Sequence, residues 1–102
     1  MEVLCNMYRG TTPTLILTFP EGTDFSGSDV YVSLSDQKRN ELIRIENPPI
    51  EDNVISIFLT QEQTLALPNY VLVQVNWTYG NKRACSNIVS IDTKRNLISE
   101  VL

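Results

Sequence analysis

The sequence predicts an all-β domain, either a β-sandwich or a small barrel, on the basis of three observations. Short runs of alternating apolar and polar residues recur along the chain, as expected for strands that are buried on one face. Turn-forming residues separate these runs about every 8 to 14 residues, which is typical of sandwiches and barrels. The chain does not alternate strands with long helices, so the pattern excludes a Rossmann-type fold.

The longest strand pattern predicts a β-hairpin over residues 70–91. From Val71 to Tyr79 the odd positions are all apolar, while the even positions are mostly polar. Gly80-Asn81-Lys82 supplies a turn, and a second strand follows through Ile88, Val89 and Ile91. Neighbouring residues of a strand point to opposite faces, so the pair Ile88 and Val89 requires a bulge or a second buried face.

Four shorter strands are expected before the hairpin, at residues 14–19, 30–35, 42–46 and 54–59. In the last of these, Phe58 falls on the opposite face from Ile55 and Ile57, which indicates a second cluster or a contact with a partner. Thr60 and Gln63 then have the spacing of a capping box, and they predict one helical turn over residues 61–67.

Both ends of the chain contain more apolar residues than free tails usually do. We expect residues 1–9 either to pair with a sheet edge or to dock on another subunit. Leu97–Leu102 is expected to form a last short strand or a docked tail. The length of 102 residues suits one domain, so we predict a single sandwich over residues 1–102 with terminal arms at 1–9 and 93–102.

The composition excludes several classes of function. The net charge of −4 argues against binding to nucleic acid phosphates or to an anionic membrane surface. No apolar run approaches the length of a membrane-spanning helix. Residues 1–8 lack the basic start and long apolar stretch of a signal peptide, so we expect synthesis and folding in a cytoplasm.

The two cysteines, Cys5 and Cys85, are too few for a disulfide-built scaffold. We expect two reduced thiols, at least one of them buried as a small hydrophobic side chain. A bridge between Cys5 and Cys85 is the alternative, because the N-terminal segment could lie along the last strand.

A search for catalytic and metal-binding patterns finds none, and we predict a non-enzyme without a cofactor. The sequence has no histidine, which removes the Ser-His-Asp and Cys-His systems and the commonest zinc ligand. Asp24 and Asp29 lack the ligand spacing of a calcium loop. Glu51 and Asp52 are adjacent residues that point different ways, which does not suit a glycosidase pair.

Aromatic residues provide the main alternative to a purely structural role. Trp77 and Tyr79, together with Tyr31 and Tyr70, could form a stacking platform for a sugar or a host receptor. At the spacing of Trp77 and Tyr79, residues of a sandwich core are the competing interpretation.

Several stretches of the chain resemble small structural virion proteins of tailed bacteriophages. The most similar stretch is Arg9-Gly10-Thr11-Thr12-Pro13-Thr14, which runs directly into an apolar strand ending at Pro20. The strand at 54–59 with the following Thr60-Gln61-Glu62-Gln63-Thr64, the strand Val73–Trp77, and residues 84–89 fit the same pattern. The resemblance extends from Arg9 to Ile91 and leaves both ends of the chain uncovered.

The resemblance implies an immunoglobulin-like antiparallel β-sandwich, to which the residue pattern gives about six to seven strands and one short helical turn. It further implies a structural subunit of the virion, synthesised in the bacterial host cytoplasm and assembled with other tail, baseplate or fibre proteins. Such parts are usually present in several copies, so a homo-oligomer is expected. The candidate partner contacts are apolar residues of the two ends and the unexplained Phe58: Val3, Leu4, Met7, Tyr8, Phe58, Leu97, Ile98, Val101 and Leu102.

Overall fold

Two antiparallel sheets face each other in the computed structural model, which describes residues 1–102. The single helix, α1, is one short turn between two strands. The elements are β1 (Glu2–Leu4), β2 (Thr14–Thr18), β3 (Val30–Ser35), β4 (Glu41–Glu46), β5 (Ile50–Glu51), β6 (Val54–Phe58), α1 (Gln61–Leu65), β7 (Tyr70–Tyr79), β8 (Lys82–Cys85) and β9 (Val89–Asp92).

The strand order is that of an immunoglobulin-like sandwich. The first sheet has the order β1-β2-β6-β5, and the second has the order β4-β3-β7-β8, with β9 also paired to β7. These correspond to the ABED and CFG sheets of the immunoglobulin fold, with β4 added beside the C strand. The predicted fold class is therefore confirmed, although the sandwich has nine strands. Two of the additional strands are β1 and the two-residue β5. The third arises because the second strand of the hairpin is divided into β8 and β9.

The core lies between the sheets and follows the period of two seen in the sequence. Alternate residues of each central strand are fully buried, as in Leu15 and Leu17 of β2 and Val71, Val73 and Val75 of β7. At one end of the core, the ring of Trp77 makes edge-to-face contacts with Phe19 and Phe25, at centroid distances of 5.8 and 5.4 Å. Trp77 therefore closes one end of the core, and the residue as a whole is only partly buried.

The long hairpin contains the expected irregularity. β8 pairs with the far half of β7, where Asn76 lies opposite Cys85, and β9 pairs with the near half, where Val73 lies opposite Val89. Between these pairs β7 has two residues and the returning strand has three, so the return contains one extra residue. This bulge leaves Ile88 exposed and turns Val89 toward the sheet's inner side, which resolves the conflict in the sequence.

The N-terminal segment pairs with both sheets. β1 lies antiparallel to β2, with Val3 opposite Leu17. The chain then crosses to the second sheet, where Tyr8 and Lys94 form a parallel bridge. Of the two alternatives for residues 1–9, the structure shows pairing with a sheet edge, so this segment is an integral part of the sandwich and not a free arm.

The helical turn is shorter than predicted, because it ends at Leu65 and not at residue 67. Its C-cap is Ala66. The backbone N–H of Leu67, the residue before Pro68, donates to Thr64 O, which is only three residues earlier. After β9, residues 97–102 form no strand, so the last segment of the chain is a docked tail.

Candidate functional site

The helical turn α1, its N-cap Thr60 and the nearby Arg9 lie at one end of the sandwich, and we call this unit the platform. Thr60 Oγ1 accepts a hydrogen bond from the Gln63 N–H at 3.2 Å, and the Thr60 N–H donates to Gln63 Oε1 at 2.9 Å, which completes a capping box. The fully buried Thr64 donates its hydroxyl to Thr11 O at 2.8 Å. The capping-box prediction is thus confirmed, and the hydroxyl of Thr64 ties α1 to the segment that leads into β2.

The side chain of Arg9 forms hydrogen bonds with the segment that follows α1. Its Nε donates to Leu67 O at 3.1 Å and its Nη2 donates to Asn69 Oδ1 at 2.6 Å. The next residue, Gly10, has a φ of 75°, and a β-carbon there would lie 3.2 Å from Cδ2 of Leu65. Glycine therefore suits this position both by its backbone conformation and by the close approach of α1.

The C-terminal tail, residues 97–102, is anchored to the platform at both of its ends. Asn96, just before the tail, donates its side-chain N–H to Arg9 O at 2.9 Å. At the other end, the Leu102 N–H donates to Gln61 Oε1 at 2.8 Å and Gln61 Nε2 donates to Leu102 O at 3.3 Å. The tail is held by its backbone, and its apolar side chains stay in solvent, with Leu97 fully exposed.

An apolar strip crosses the outer face of the first sheet and reaches the tail; its members are Leu4, Ile16, Phe58 and Val101. Leu4 lies opposite Ile16 in the β1–β2 pair, and Phe58 is a diagonal neighbour of Ile16 in the β2–β6 pair. Phe58 is 64% exposed and shares a shallow groove of about 470 Å³ with Val101 and residues of α1. The strip thus joins apolar side chains from three strands and the tail.

Two of the candidate contacts are not exposed. Met7 is only 1% exposed and belongs to the core, and Val3 is half-buried and packs against it. Both side chains turn inward because their segment pairs with the sheets, so neither is available to a partner in this conformation. The remaining candidates are exposed: Leu4, Tyr8, Phe58, Leu97, Ile98, Val101 and Leu102.

Ile16, Gln61 and Arg9 contribute to the site but were not predicted as site residues. Ile16 had a signal in the sequence, since it is an isoleucine at the polar-face position of β2, between Thr14 and Thr18. The hydrogen bonds of Arg9 and Gln61 connect residues that lie 58 and 41 positions apart, and a single sequence gives no sign of them.

The aromatic residues of the alternative, sugar-binding interpretation do not form one platform. Trp77 packs into the end of the core, while Tyr70 and Tyr79 lie exposed at opposite ends of β7. Tyr31 lies on the outer face of the second sheet, beside a polar groove of about 490 Å³. The groove is lined by Tyr31, Ser33, Arg44, Glu46, Asn76, Trp77, Thr78 and Arg83.

Charged side chains of the second sheet pair with their neighbours. Arg44 makes two hydrogen bonds to Glu41, at 2.7 and 2.9 Å, and these lower the pKa of the Glu41 carboxyl. The two residues share the outer face although they are three positions apart, because the ladder shifts register next to Leu42. Arg83 donates to Asn76 Oδ1 from both Nε and Nη2.

Neither cysteine belongs to the apolar strip, and neither does Asp24, whose spacing from Asp29 does not suit a calcium loop. Cys5 and Cys85 are both free, and partial burial raises the pKa of the Cys5 thiol. Asp24 accepts a hydrogen bond from the Ser26 N–H within its own loop, and the chain contains no cluster of three or more acidic or thiol ligands.

The single helix, α1, has five residues and is far too short to span a membrane. Comparison of the chain with protein-family models, with curated proteins and with solved structures finds no match.

Proposed function

We propose that this protein is a non-enzymatic structural subunit of a tailed bacteriophage particle, which assembles with tail, baseplate or fibre proteins. The observation that supports this proposal most directly is the apolar strip with the adjoining tail. Isolated apolar residues are normal on a protein surface, whereas a continuous apolar surface marks a binding site. Full burial of one side chain such as Phe58 or Leu102 against a partner contributes about 1.5 to 3 kcal/mol of favourable free energy.

The platform around α1 suits a permanent contact. The capping box, the buried Thr64 and the hydrogen bonds of Arg9 fix α1 against the sandwich before any partner binds. A partner that docks there loses little conformational entropy from this side of the interface. The tail is the adaptable part, since its side chains are free while its backbone is anchored.

Two of the four stretches that resemble phage virion proteins lie together in this region. The segment that begins at Arg9 supplies the acceptor Thr11 O and the guanidinium that binds Leu67 O. The Thr60–Thr64 stretch supplies the capping box and the hydroxyl that binds Thr11. The two resembling stretches therefore form one structural unit, and that unit supports the apolar surface.

The test is incorporation of the tagged chain into particles purified from host cells that produce both. We expect the wild-type chain to co-purify with intact tailed particles, and Phe58→Asp to reduce its amount at least about tenfold, because it places a charge in a desolvated contact. Tyr79→Asp is the matched control, since Tyr79 is an exposed aromatic residue at the far end of β7. Absence of the wild-type chain from particles, or equal incorporation of both variants, would contradict the proposal.

The second candidate function is the binding of a carbohydrate or host receptor, and the polar groove beside Tyr31 favours it. The groove combines two aromatic residues, Tyr31 and Trp77, with two guanidinium groups, a carboxylate and an amide, which suits the hydroxyl groups of a sugar. Titration with glycans, followed by NMR, would show shifts at Tyr31 and Arg83 that Tyr31→Ala abolishes. If no glycan moves any resonance of the groove, this candidate is excluded.

A further inference from the structure

The edge strand β4 has no partner on its outer side. It ends the second sheet and pairs only with β3. The edges of the first sheet are shorter, because β1 has three residues and β5 has two. On the opposite edge of the second sheet, the N-terminal amino group donates to Asn87, and the chain near Tyr8 pairs with Lys94. The other strand at that edge, β8, has four residues, so β4, with six, is the longest edge that is open to another strand.

The backbone groups of Arg44 and Glu46 point toward this open side. The Asn47 N–H donates to Val30 O at 2.7 Å, so the backbone of Asn47 faces β3. In an antiparallel ladder every second residue faces the same partner, which turns Ile45 and Ile43 toward β3 as well. Arg44 and Glu46, the residues between them, therefore present their N–H and C=O groups to the outside.

The side chains of β4 follow the same alternation. Arg44 and Glu46 lie on the outer face of the sheet, opposite Ser33 and Tyr31 of β3. Ile43 and Ile45 lie on the inner face, where they pack against the core but stay half-exposed because no strand follows. The edge therefore offers two opposite charges on one face and incompletely covered apolar side chains on the other.

We infer that two copies of this chain pair through β4 in an antiparallel fashion, about a two-fold axis at Ile45. Arg44 then lies opposite the partner's Glu46, and Glu46 lies opposite the partner's Arg44. Each of these pairs exchanges two ladder hydrogen bonds, using the backbone groups that point outward. Ile45 meets the partner's Ile45 on the inner face, which extends the core across the axis. The interface is isologous, as two-fold symmetry requires.

Charge selects this register. Alternation of the strand allows only shifts that keep each side chain on its own face. Moving the axis to Arg44 places Arg44 opposite the partner's Arg44, and moving it to Glu46 places two carboxylates opposite each other. Directly opposed like charges are destabilising, whereas opposed unlike charges attract. Of these three registers, only the one with its axis at Ile45 places the Arg44 of each copy opposite the Glu46 of the other.

The paired segment is short, so the dimer is weak and depends on concentration. On one side the register shift next to Leu42 ends the regular strand, and on the other side Asn47 has a positive φ of 46°. Arg44 also has an intramolecular partner in Glu41. That ion pair is exposed, and such pairs contribute little, so Arg44 can exchange it for the partner's Glu46.

This inference does not depend on the proposed function, because β4 and the strands of the apolar strip belong to different sheets.

The test is a charge exchange between two variants, followed by sedimentation from about 10 µM to about 1 mM protein. Arg44→Glu places carboxylates opposite each other, and Glu46→Arg does the same with guanidinium groups. Each variant alone should therefore dimerise at least about tenfold more weakly than the wild type. In an equimolar mixture, every position 44 again faces an opposite charge at position 46, so a mixed dimer should return to wild-type strength.

Glu41→Gln is the control for the competing ion pair, and it should leave the dimer as strong as in the wild type or stronger. Circular dichroism of each variant shows whether it is folded. A wild-type chain that stays monomeric over the whole range, or a mixture that dimerises no better than its components, would overturn the inference.

A disulfide measures the register without changing any charge. In a chain with Cys5→Ala and Cys85→Ser, the variant Ile45→Cys places two thiols opposite each other at the axis. Opposed residues of this type have Cα atoms about 4.5 Å apart, which a disulfide can bridge. Ile43→Cys places its thiols away from the axis and serves as the control. Efficient oxidation to dimer at position 45 and not at position 43 is expected, while equal oxidation or none contradicts the pairing.

Discussion

The side-chain hydroxyl of Ser86 replaces a backbone carbonyl as the hydrogen-bond acceptor opposite Val75. The Val75 N–H donates to Ser86 Oγ at 3.0 Å, and the Ser86 N–H donates to Val75 O at 2.8 Å. A backbone carbonyl would normally accept from the N–H of a central strand, but the bulge between β8 and β9 moves that carbonyl away, and the serine hydroxyl takes its place. Gln74 Nε2 donates to the displaced Ser86 O at 2.9 Å.

The variant Ser86→Ala should therefore lower the free energy of unfolding by about 1 to 2 kcal/mol. Val75 is fully buried, so its N–H would lose its acceptor without gaining water in exchange. Urea denaturation followed by tryptophan fluorescence measures the change. Ser90→Ala, an exposed position in β9, is the control and should lie within about 0.5 kcal/mol of wild type. Equal effects of the two variants would show that the hydroxyl of Ser86 has no structural role.

The hairpin illustrates how far the sequence predicts the fold. The alternation in β7 predicts its buried face, and the adjacent Ile88 and Val89 predict that the returning strand is irregular. The position of the bulge depends on Ser86, whose role requires β7 as a partner and is not visible locally. β5 was not predicted because two residues between Pro49 and a turn have no period that a pattern can detect.

The site was predictable to the extent that it follows from strand periodicity. Phe58 was identified because it falls on the wrong face of an alternating strand. Met7 was misplaced as a surface contact because exposure of an irregular segment depends on its tertiary pairing, here with Lys94. The anchoring of the tail by Gln61 is likewise a long-range contact, so the sequence left both a last short strand and a docked tail as alternatives for residues 97–102.

Two substitutions in the N-terminal segment should differ sharply in their effect on stability. Met7→Ala removes a side chain that is 1% exposed and should lower the free energy of unfolding by about 2 to 5 kcal/mol. Leu4→Ala changes a side chain that is 74% exposed and should stay within about 0.5 kcal/mol of wild type. Thermal and urea unfolding of both variants measure the difference. A small effect of Met7→Ala would indicate that residues 1–9 detach from the sandwich in solution.

The tail should be released by Gln61→Ala. This change removes both hydrogen bonds to the backbone of Leu102, while the capping box of Thr60 and Gln63 remains. We expect faster trimming by carboxypeptidase and faster amide exchange at Leu102, with the melting temperature nearly unchanged because the tail buries little surface. Glu62→Ala, the exposed neighbour of Gln61, is the control. If both variants are trimmed at the wild-type rate, Gln61 does not anchor the tail.

Acid should destabilise the protein through the turn between β3 and β4. Asp36 accepts hydrogen bonds from the N–H groups of Asn40 and Lys38, both at 2.9 Å, and the bond from Asn40 is the main reason that the pKa of Asp36 is lowered. A carboxyl whose pKa is lower in the folded state stabilises the fold above its unfolded pKa of about 4. This contribution is lost as the pH falls through the folded-state value. Between about pH 5 and pH 2 the urea midpoint should therefore fall.

Asp36→Asn tests this origin of the acid sensitivity. An asparagine oxygen can still accept from the backbone of the turn, but it does not titrate, so the urea midpoint of the variant should fall less steeply with acid than that of the wild type. The difference should persist in about 1 M salt, because hydrogen bonds and not distant charges dominate the shift. Identical acid profiles of the two proteins would assign the sensitivity to other carboxyls, of which Asp24 and Glu41 also have lowered pKa values through hydrogen bonds from Ser26 and Arg44.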